Sequence, residues 1–197
     1  MSVGSQNGLN PTQADLCYRH LALLKKWNEA FNLTAITEAK MMWMKHVLDS
    51  VSIAPYLPKH TGLRFLDVGT GGGFPGVPLA VVRPDIDWIL LDSNGKKIRF
   101  LTQVKIQLKL KNIFPIQARV EDYEVSEEHK FDGIVSRAFS SLLTFREQAS
   151  HLLAKNGKFY AMKGAGEEAI PEGSPLEQEI YLEVPGLVEQ RKLLIFS

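Results

Sequence analysis

The stretch Leu63-Arg64-Phe65-Leu66-Asp67-Val68-Gly69-Thr70-Gly71-Gly72-Gly73-Phe74-Pro75-Gly76 constrains this chain more than any other. Its apolar run, Leu63, Phe65, Leu66 and Val68, stops at Gly69, and five glycines and a proline follow within eight residues. Such a pattern encodes a buried strand feeding a loop of exposed backbone. Glycines permit positive φ and let main-chain N–H groups approach a ligand with no Cβ in the way. An ordinary strand-to-helix turn needs only one or two of them, so the surplus points to a ligand loop.

Gly71-x-Gly73-x-x-Gly76 matches the dinucleotide fingerprint G-x-G-x-x-G, a weak signal taken alone. Asp67, two positions before the first glycine, is the residue that discriminates. A carboxylate there would repel the pyrophosphate of NAD or ATP, at a cost on the order of 4 kcal/mol for unit charges 4 Å apart near a surface. S-adenosylmethionine (SAM) carries a sulfonium and an ammonium instead, so contact with the same carboxylate, direct or through water, becomes favourable. A Walker loop is excluded, because Gly95-Lys96 is followed by Lys97 and not by the Ser or Thr that holds magnesium.

Length and composition narrow the class. A chain of 197 residues that is 45% hydrophobic and 23% charged is that of a soluble globular protein with a full core. No apolar run approaches the roughly 18 residues of a membrane span, and polar Met1 to Asn10 lacks a signal-peptide core, so no membrane association is expected. The single Cys17 can form neither an internal disulfide nor a cysteine metal cluster, which fits a reducing cytoplasm and a protein without a metal. The net charge of +1 hides a segregation. From Asp92 to Val120 there are seven Lys or Arg against one acid, and from Gly164 to Glu189 seven glutamates with no Lys or Arg. That asymmetry permits a basic face for nucleic acid, although most charge runs are solvated helix faces.

Along the chain, Asn10-Pro11-Thr12-Gln13 reads as a capped start for a helix to about Phe31, with Leu16, His20, Leu23, Leu24, Trp27 and Phe31 on one stripe. His20 and Cys17 read as packed residues. After a turn at Asn32-Leu33-Thr34, a second helix is predicted from near Thr37 to Ala54, sharing Lys45, His46, Asp49 and Ser50 on one face. Residues 1–60 thus form a helical extension before a core at 61–197.

Beyond the glycine loop the expected order is a helix to Val82, a strand Ile86–Leu91 that delivers Asp92, and a helix Ser93–Leu110. Then come a strand Ile113–Gln117, a strand Phe131–Ser136 ending at Arg137, a helix Ser141–Ala154 and a strand Lys158–Met162. A mobile loop, 165–175, and a terminal hairpin, Ile180–Val184 and Lys192–Phe196, complete it. Strands alternating with helices imply a doubly wound, mostly parallel α/β sheet with an antiparallel edge. Asp92, about 20 residues past the glycines, is placed to accept ribose hydroxyls of a nucleoside.

Asn32-Leu33-Thr34, Lys45-His46-Val47-Leu48-Asp49-Ser50, the loop 67–76, Leu91-Asp92-Ser93, Arg119-Val120-Glu121 and Ser136-Arg137-Ala138 together closely resemble the 16S ribosomal RNA guanine-N7 methyltransferase family, RsmG or GidB. The likeness runs from Trp27 to Gly164. It implies a class I SAM-methyltransferase (Rossmann-like) fold, and methyl transfer from SAM to N7 of guanine 527 in the 16S RNA of a small ribosomal subunit or assembly intermediate, by a cytoplasmic monomer. It carries SAM contacts onto Gly69, Phe74, Val120, Glu121 and Arg137, which join Gly71 and Asp92 from the loop reading. Lys45 stands where the family has arginine, and in the short tail only Arg191 carries over.

The chemistry agrees with the residues at hand. No cysteine lies near the fourth strand for attack on a pyrimidine, and no Asn/Asp-Pro-Pro-aromatic turn follows it for an exocyclic amine. N7 holds an in-plane lone pair and no proton, so no general base is required and alignment does the work. Arg137 is expected to orient the pocket, with Lys163 and His46 as RNA or phosphate contacts at its mouth, and Phe74, Phe139 or Trp43 as a stacking platform. The other readings are a small-molecule methyltransferase and a nucleotide- or NAD-binding regulatory module without catalysis.

Overall fold

The computed structural model describes residues 8–139 and 141–197, so part of the N-terminal reading, residues 1–7, lies outside the described residues. Seven strands form one sheet in the order β3-β2-β1-β4-β5-β7-β6. They are β1 (Arg64–Val68), β2 (Asp87–Asp92), β3 (Ile113–Gln117), β4 (Phe131–Ser136), β5 (Leu153–Gly164), β6 (Leu176–Leu182) and β7 (Arg191–Phe196). The first five are parallel, and β7 runs antiparallel to both its neighbours. The terminal hairpin is therefore present, with its second strand docked on β5 and its first at the sheet edge. Its first strand starts at Leu176, earlier than the expected Ile180, because residues 176–180 pair with β7.

The helices are α1 (Pro11–Phe31), α2 (Ala39–Met42), α3 (Asp49–Val51), α4 (Gly76–Val82), α5 (Gly95–Leu108) and α6 (Leu142–Ala149). The start of α1 is a reciprocal cap: Gln13 N–H donates to Asn10 Oδ1 at 2.9 Å, and Asn10 N–H to Gln13 Oε1 at 3.0 Å. It ends at Asn32, whose left-handed φ of 50° stops the helix. Cys17, His20, Leu21 and Leu24 form its buried face, while Phe31 lies at the surface under Lys96. Burial pushes the Cys17 thiol up to about 12, so it is an inert packing group.

Two expected helices differ from the sequence reading. The second is not α-helical throughout: between α2 and α3, Trp43–Leu48 forms a π-helical segment. Helix propensity carries no signal for the one extra residue that widens such a turn. The helix expected over Ser141–Ala154, α6, stops at Ala149, and a 3-10 turn leads directly into β5 at Leu153, because Phe131 of β4 already pairs with Leu153. Sheet pairing here overrides the helical pattern of Leu152 and Ala154.

The sheet separates two apolar layers. On one side Phe65, Trp88 and Tyr160 pack with α1, α4 and α5; on the other Leu66, Val68, Phe131 and Phe159 pack with α6. Residues one apart on β1 take opposite faces, as the two-residue period demands, which puts Asp67 on the α4 side with Phe65. Gly133 of β4 lies under the Phe65 ring, where an added Cβ would sit 2.1 Å from the nearest ring carbon. Gly133→Ala is expected to lower stability by about 1–3 kcal/mol or more by overpacking, seen as a reduced urea midpoint with an unchanged slope.

Candidate functional site

The glycine loop is held from beneath by Asp67. Its Oδ2 accepts from Thr70 Oγ1 at 2.6 Å and from the Gly76 N–H at 2.9 Å, and its side chain has no exposed surface. Asp67, expected to meet the ligand directly or through water, instead forms a clamp between the end of β1 and the start of α4. The physical reason is the strand alternation that points Asp67 toward α4. Burial pushes its carboxyl up to about 6, against the pull of the Thr70 and Gly76 hydrogen bonds and the Arg137 charge.

The glycines divide into two groups. Gly71, at φ 60°, has open space where a Cβ would stand, and Gly69, at φ 70°, lies with that position 2.7 Å from Ala138 Cβ. Gly72, Gly73 and Gly76 are turned inward, with their Cβ positions against Leu24, against Val77 and Leu101, and against Leu90 and Asp67. Most of the glycine surplus therefore serves close packing of the loop on α1, α4 and α5, and not approach to a ligand.

At the carboxyl ends of β1, β2 and β4, where the strand order reverses, lies a cavity of about 430 Å³. Of the predicted residues, Gly69, Asp92, Val120 and Glu121 line it, with Lys97 and Gln148 added by the structure. Asp92 is buried and partly engaged: Oδ2 accepts from the Gly71 N–H at 3.0 Å and from Lys97 Nζ at 3.1 Å, and Oδ1 from the Asn94 N–H at 2.9 Å. A lone pair on Oδ1 remains available. Lys97 was legible as the first turn of a helix beginning beside Asp92, whereas nothing local marks Gln148 on α6.

A second cavity, about 370 Å³, is lined by Lys45, His46, Asp49, Arg137, Lys163 and Arg191 among others. Buried Asp49 is its anchor, pairing with Arg137 at 3.0 Å and with Arg191 at 3.3 Å. Arg137 Nη1 also donates to the Lys45 carbonyl at 3.0 Å, inside the π-helical segment, whose wide turn turns that carbonyl toward β4. Lys45 pairs with Glu189 at 2.6 Å and Lys163 with Glu168 at 3.2 Å. Two glutamates of the acidic segment thus reach this cleft, while Glu177 and Glu179 pair with Lys158 and Lys192; in the 92–120 cluster, Lys96 and Lys105 lie over the rings of Phe31 and Phe114.

One turn contributes a residue to each cavity. Ser136 Oγ donates to the Val68 carbonyl at 2.8 Å and accepts from the Ala138 N–H at 3.0 Å, tying the ends of β1 and β4. Arg137 then faces the cleft and Ala138 the first cavity. Phe74 lines neither. Its ring, 5% exposed, is stacked between His20 at 4.8 Å and His46 at 4.5 Å, with the Arg137 guanidinium over it at 5.6 Å. A stacking platform for a base is therefore not available from Phe74, and Trp43 stacks on Tyr18 and Phe139 on Phe145. Among the described residues, no group of three or more His, Cys, Asp or Glu is arranged to hold a metal, and no helix is long and apolar enough to cross a membrane.

The family model described as GidB, rRNA small subunit methyltransferase G, matches residues 13–184. The chain belongs to this family. It is 51% identical over 178 residues to the ribosomal RNA small subunit methyltransferase G of Shewanella amazonensis, covering 88% of this chain and 84% of that one. Its identity to the protein of that name from Klebsiella pneumoniae is 46%, over 96% and 91% of the two chains. Among solved structures, a SAM-dependent methyltransferase from Aquifex aeolicus superposes with a TM-score of 0.59 over 81% of this chain and 93% of that one, at 16% identity. A putative S-adenosylmethionine-dependent methyltransferase from Methanococcus maripaludis gives 0.52 over 62% and 58%, at 20% identity. The fold is the class I methyltransferase sheet with a helical N-terminus, as the family resemblance implies.

Three titrating groups, buried His20 and Asp67 and half-buried His46, make stability depend on pH. Burial lowers His20 and His46 to about 4, with the Arg137 charge adding to the shift at His46. Both stay neutral in the fold while the unfolded chain protonates near 6.5. Their contribution is complete above pH 6.5 and is lost as pH falls toward 4. Asp67, raised to about 6 from 3.8, acts oppositely: its contribution is complete below 3.8 and lost as pH rises through 6. Stability should fall from pH 6.5 to 6 and more gently below, where Asp67 offsets one histidine. In urea titrations across pH 7.5 to 5, His20→Gln should show a shallower fall than the wild type.

Proposed function

We propose that this protein transfers a methyl group from SAM to N7 of a guanine in 16S ribosomal RNA, namely guanine 527, presented by a small ribosomal subunit or its assembly intermediate. The observation that carries this reading is the shared β4 turn. Consecutive residues, Arg137 and Ala138, line a basic cleft and a polar cavity at the strand switch point. A donor held in the cavity and a base held in the cleft are then adjacent, which is what a direct transfer requires.

The cavity fits SAM on its own features. Its volume suits a nucleoside-sized ligand. Gly71 offers backbone without a Cβ, and Asp92 keeps a lone pair for a ribose hydroxyl, Lys97 giving way for a second. Val120 and Glu121 in the turn after β3 stand where a backbone N–H and a carboxylate can read adenine. Gly69 continues the wall toward Ala138. When bound, SAM supplies an electrophilic methyl on a sulfonium.

The cleft supplies position and charge. Arg137 is held at the carbonyl of Lys45 and by Asp49, so its guanidinium is preorganised on the cleft wall, where it can orient the target base. It is permanently charged and acts as an orienting group, not a base. Lys45 and Lys163 are paired to surface glutamates that RNA phosphates can replace, and Arg191 adds a further cation. Phe74 contributes from behind, by supporting Arg137 and His46.

Incubation with labelled SAM and small subunits from a strain lacking the gene should place N7-methylguanine at position 527, and absence of that product would overturn the assignment. Asp92→Ala is expected to raise the SAM dissociation constant about tenfold to a hundredfold, by loss of hydrogen bonds to a charged group. Arg137→Ala should slow methylation about a hundredfold, close to 3 kcal/mol of transition-state stabilisation. An Arg137→Ala enzyme with unchanged SAM affinity and rate would remove Arg137 from the site.

A further inference from the structure

The N-terminal helix reaches the glycine loop through one side chain. His20 Nε2 lies 2.8 Å from the Gly72 carbonyl, and His20 has no exposed surface. A carbonyl only accepts, so the ring is the Nε2–H tautomer, and its Nδ1 is a buried acceptor without a partner. Within the loop the Thr70 carbonyl takes the N–H groups of Gly73 and Phe74, both at 2.9 Å, and the Gly73 carbonyl that of Val77 at 2.8 Å. The Gly72 carbonyl turns to His20 on α1, and Gly72 is itself buried, its Cβ position against Leu24 and Phe74, so a lost partner would leave that carbonyl unpaired.

His20 also forms one end of a stack. Its ring lies on Phe74, tilted by 27°, and Phe74 in turn lies on His46, tilted by 17°, with Arg137 over the same ring. His46 Nε2 meets Thr34 Oγ1 at 3.1 Å, and that oxygen accepts the Ile36 N–H. One column of rings therefore joins α1, the glycine loop, the π-helical segment and the turn that separates the two cavities. A shift of the loop by a few tenths of an ångström is transmitted through close-packed rings, since interiors of this density do not absorb it.

We propose that His20 is a positioning residue for the donor site: by donating Nε2–H to the Gly72 carbonyl and stacking on Phe74, it holds the glycine loop in its ligand-competent form. It touches neither donor nor target. This inference rests on the reading that the loop walls a SAM cavity. A loop less often in its competent form lowers apparent affinity by the fraction lost, and bound SAM restores the form. The effect therefore falls on SAM binding and not on turnover at saturation.

The test uses the full-length protein. His20→Phe keeps a ring on Phe74 and removes the donor, and His20→Gln removes the ring and restores an amide donor at similar reach. For His20→Phe, calorimetry should show SAM affinity weakened about tenfold, the KM for SAM rising in parallel, and kcat on small subunits within about twofold of wild type. His20→Gln should recover affinity to within about threefold. Nitrogen-15 spectra of the wild type at pH 7 should show His20 as the neutral Nε2–H tautomer. An Nδ1–H or doubly protonated ring, or a His20→Phe protein of lowered thermal midpoint but unchanged SAM affinity, would overturn the proposal. If His20→Phe fails to fold, the tautomer and the His20→Gln affinity decide it: a weakening by more than tenfold in His20→Gln counts against the donor as the operative group. A wild type that binds no SAM would instead sink the cavity reading itself.

Discussion

The buried carboxylate of Asp67 is the constraint on which the rest of the site depends. Through one oxygen it closes a nine-residue span from the end of β1 to the first residue of α4. Its second acceptance, from Thr70, sets the turn inside that span. A buried charged group accepting two hydrogen bonds in a dry layer is costly to displace. The loop conformation is accordingly held from the protein side, and Gly69 at its start lines the cavity while the Gly71 N–H is tied to Asp92. The glycines that looked like concessions to a ligand are mostly concessions to Asp67, Leu24 and Leu101.

A second buried carboxylate, Asp49, organises the cleft. It gathers Arg137 from the turn after β4 and Arg191 from β7, two cations that would otherwise repel at short range. The π-helical segment beneath it matters for the same reason, since its widened turn offers the Lys45 carbonyl to Arg137. The two carboxylates thus set the two sides of one turn, Ser136 to Ala138. The charge segregation of the sequence finds a partial explanation there, as Glu168 and Glu189 of the acidic segment reach over Lys163 and Lys45.

Much of this was legible in advance. The cap at Asn10, the strand before Gly69, Asp92 at the end of β2 and the antiparallel terminal hairpin all follow from local rules of capping and periodicity, and the described structure has them. The family resemblance singled out Val120, Glu121 and Arg137, of which the first two line the first cavity and the third the cleft. Two side chains whose surroundings the sequence left open share a common reason. Asp67 and Phe74 are residue types that suit a ligand equally well, and only the face of the strand and the neighbours across space decide where they point. Gln148 and the π-helical segment were invisible because neither leaves a periodic trace.

By itself the sequence determined the element order, the parallel sheet, the glycine loop and the acid that follows it, because backbone preferences and apolar periodicity act over a few residues at a time. Only the tertiary structure decided which glycines face inward, that Arg137 and Ala138 line different cavities, and that His20 meets Gly72. Those relations join residues tens of positions apart through packing and buried hydrogen bonds. Their energy depends on mutual burial and exclusion of water, which no short stretch of chain possesses until the sheet and its helices have closed around it.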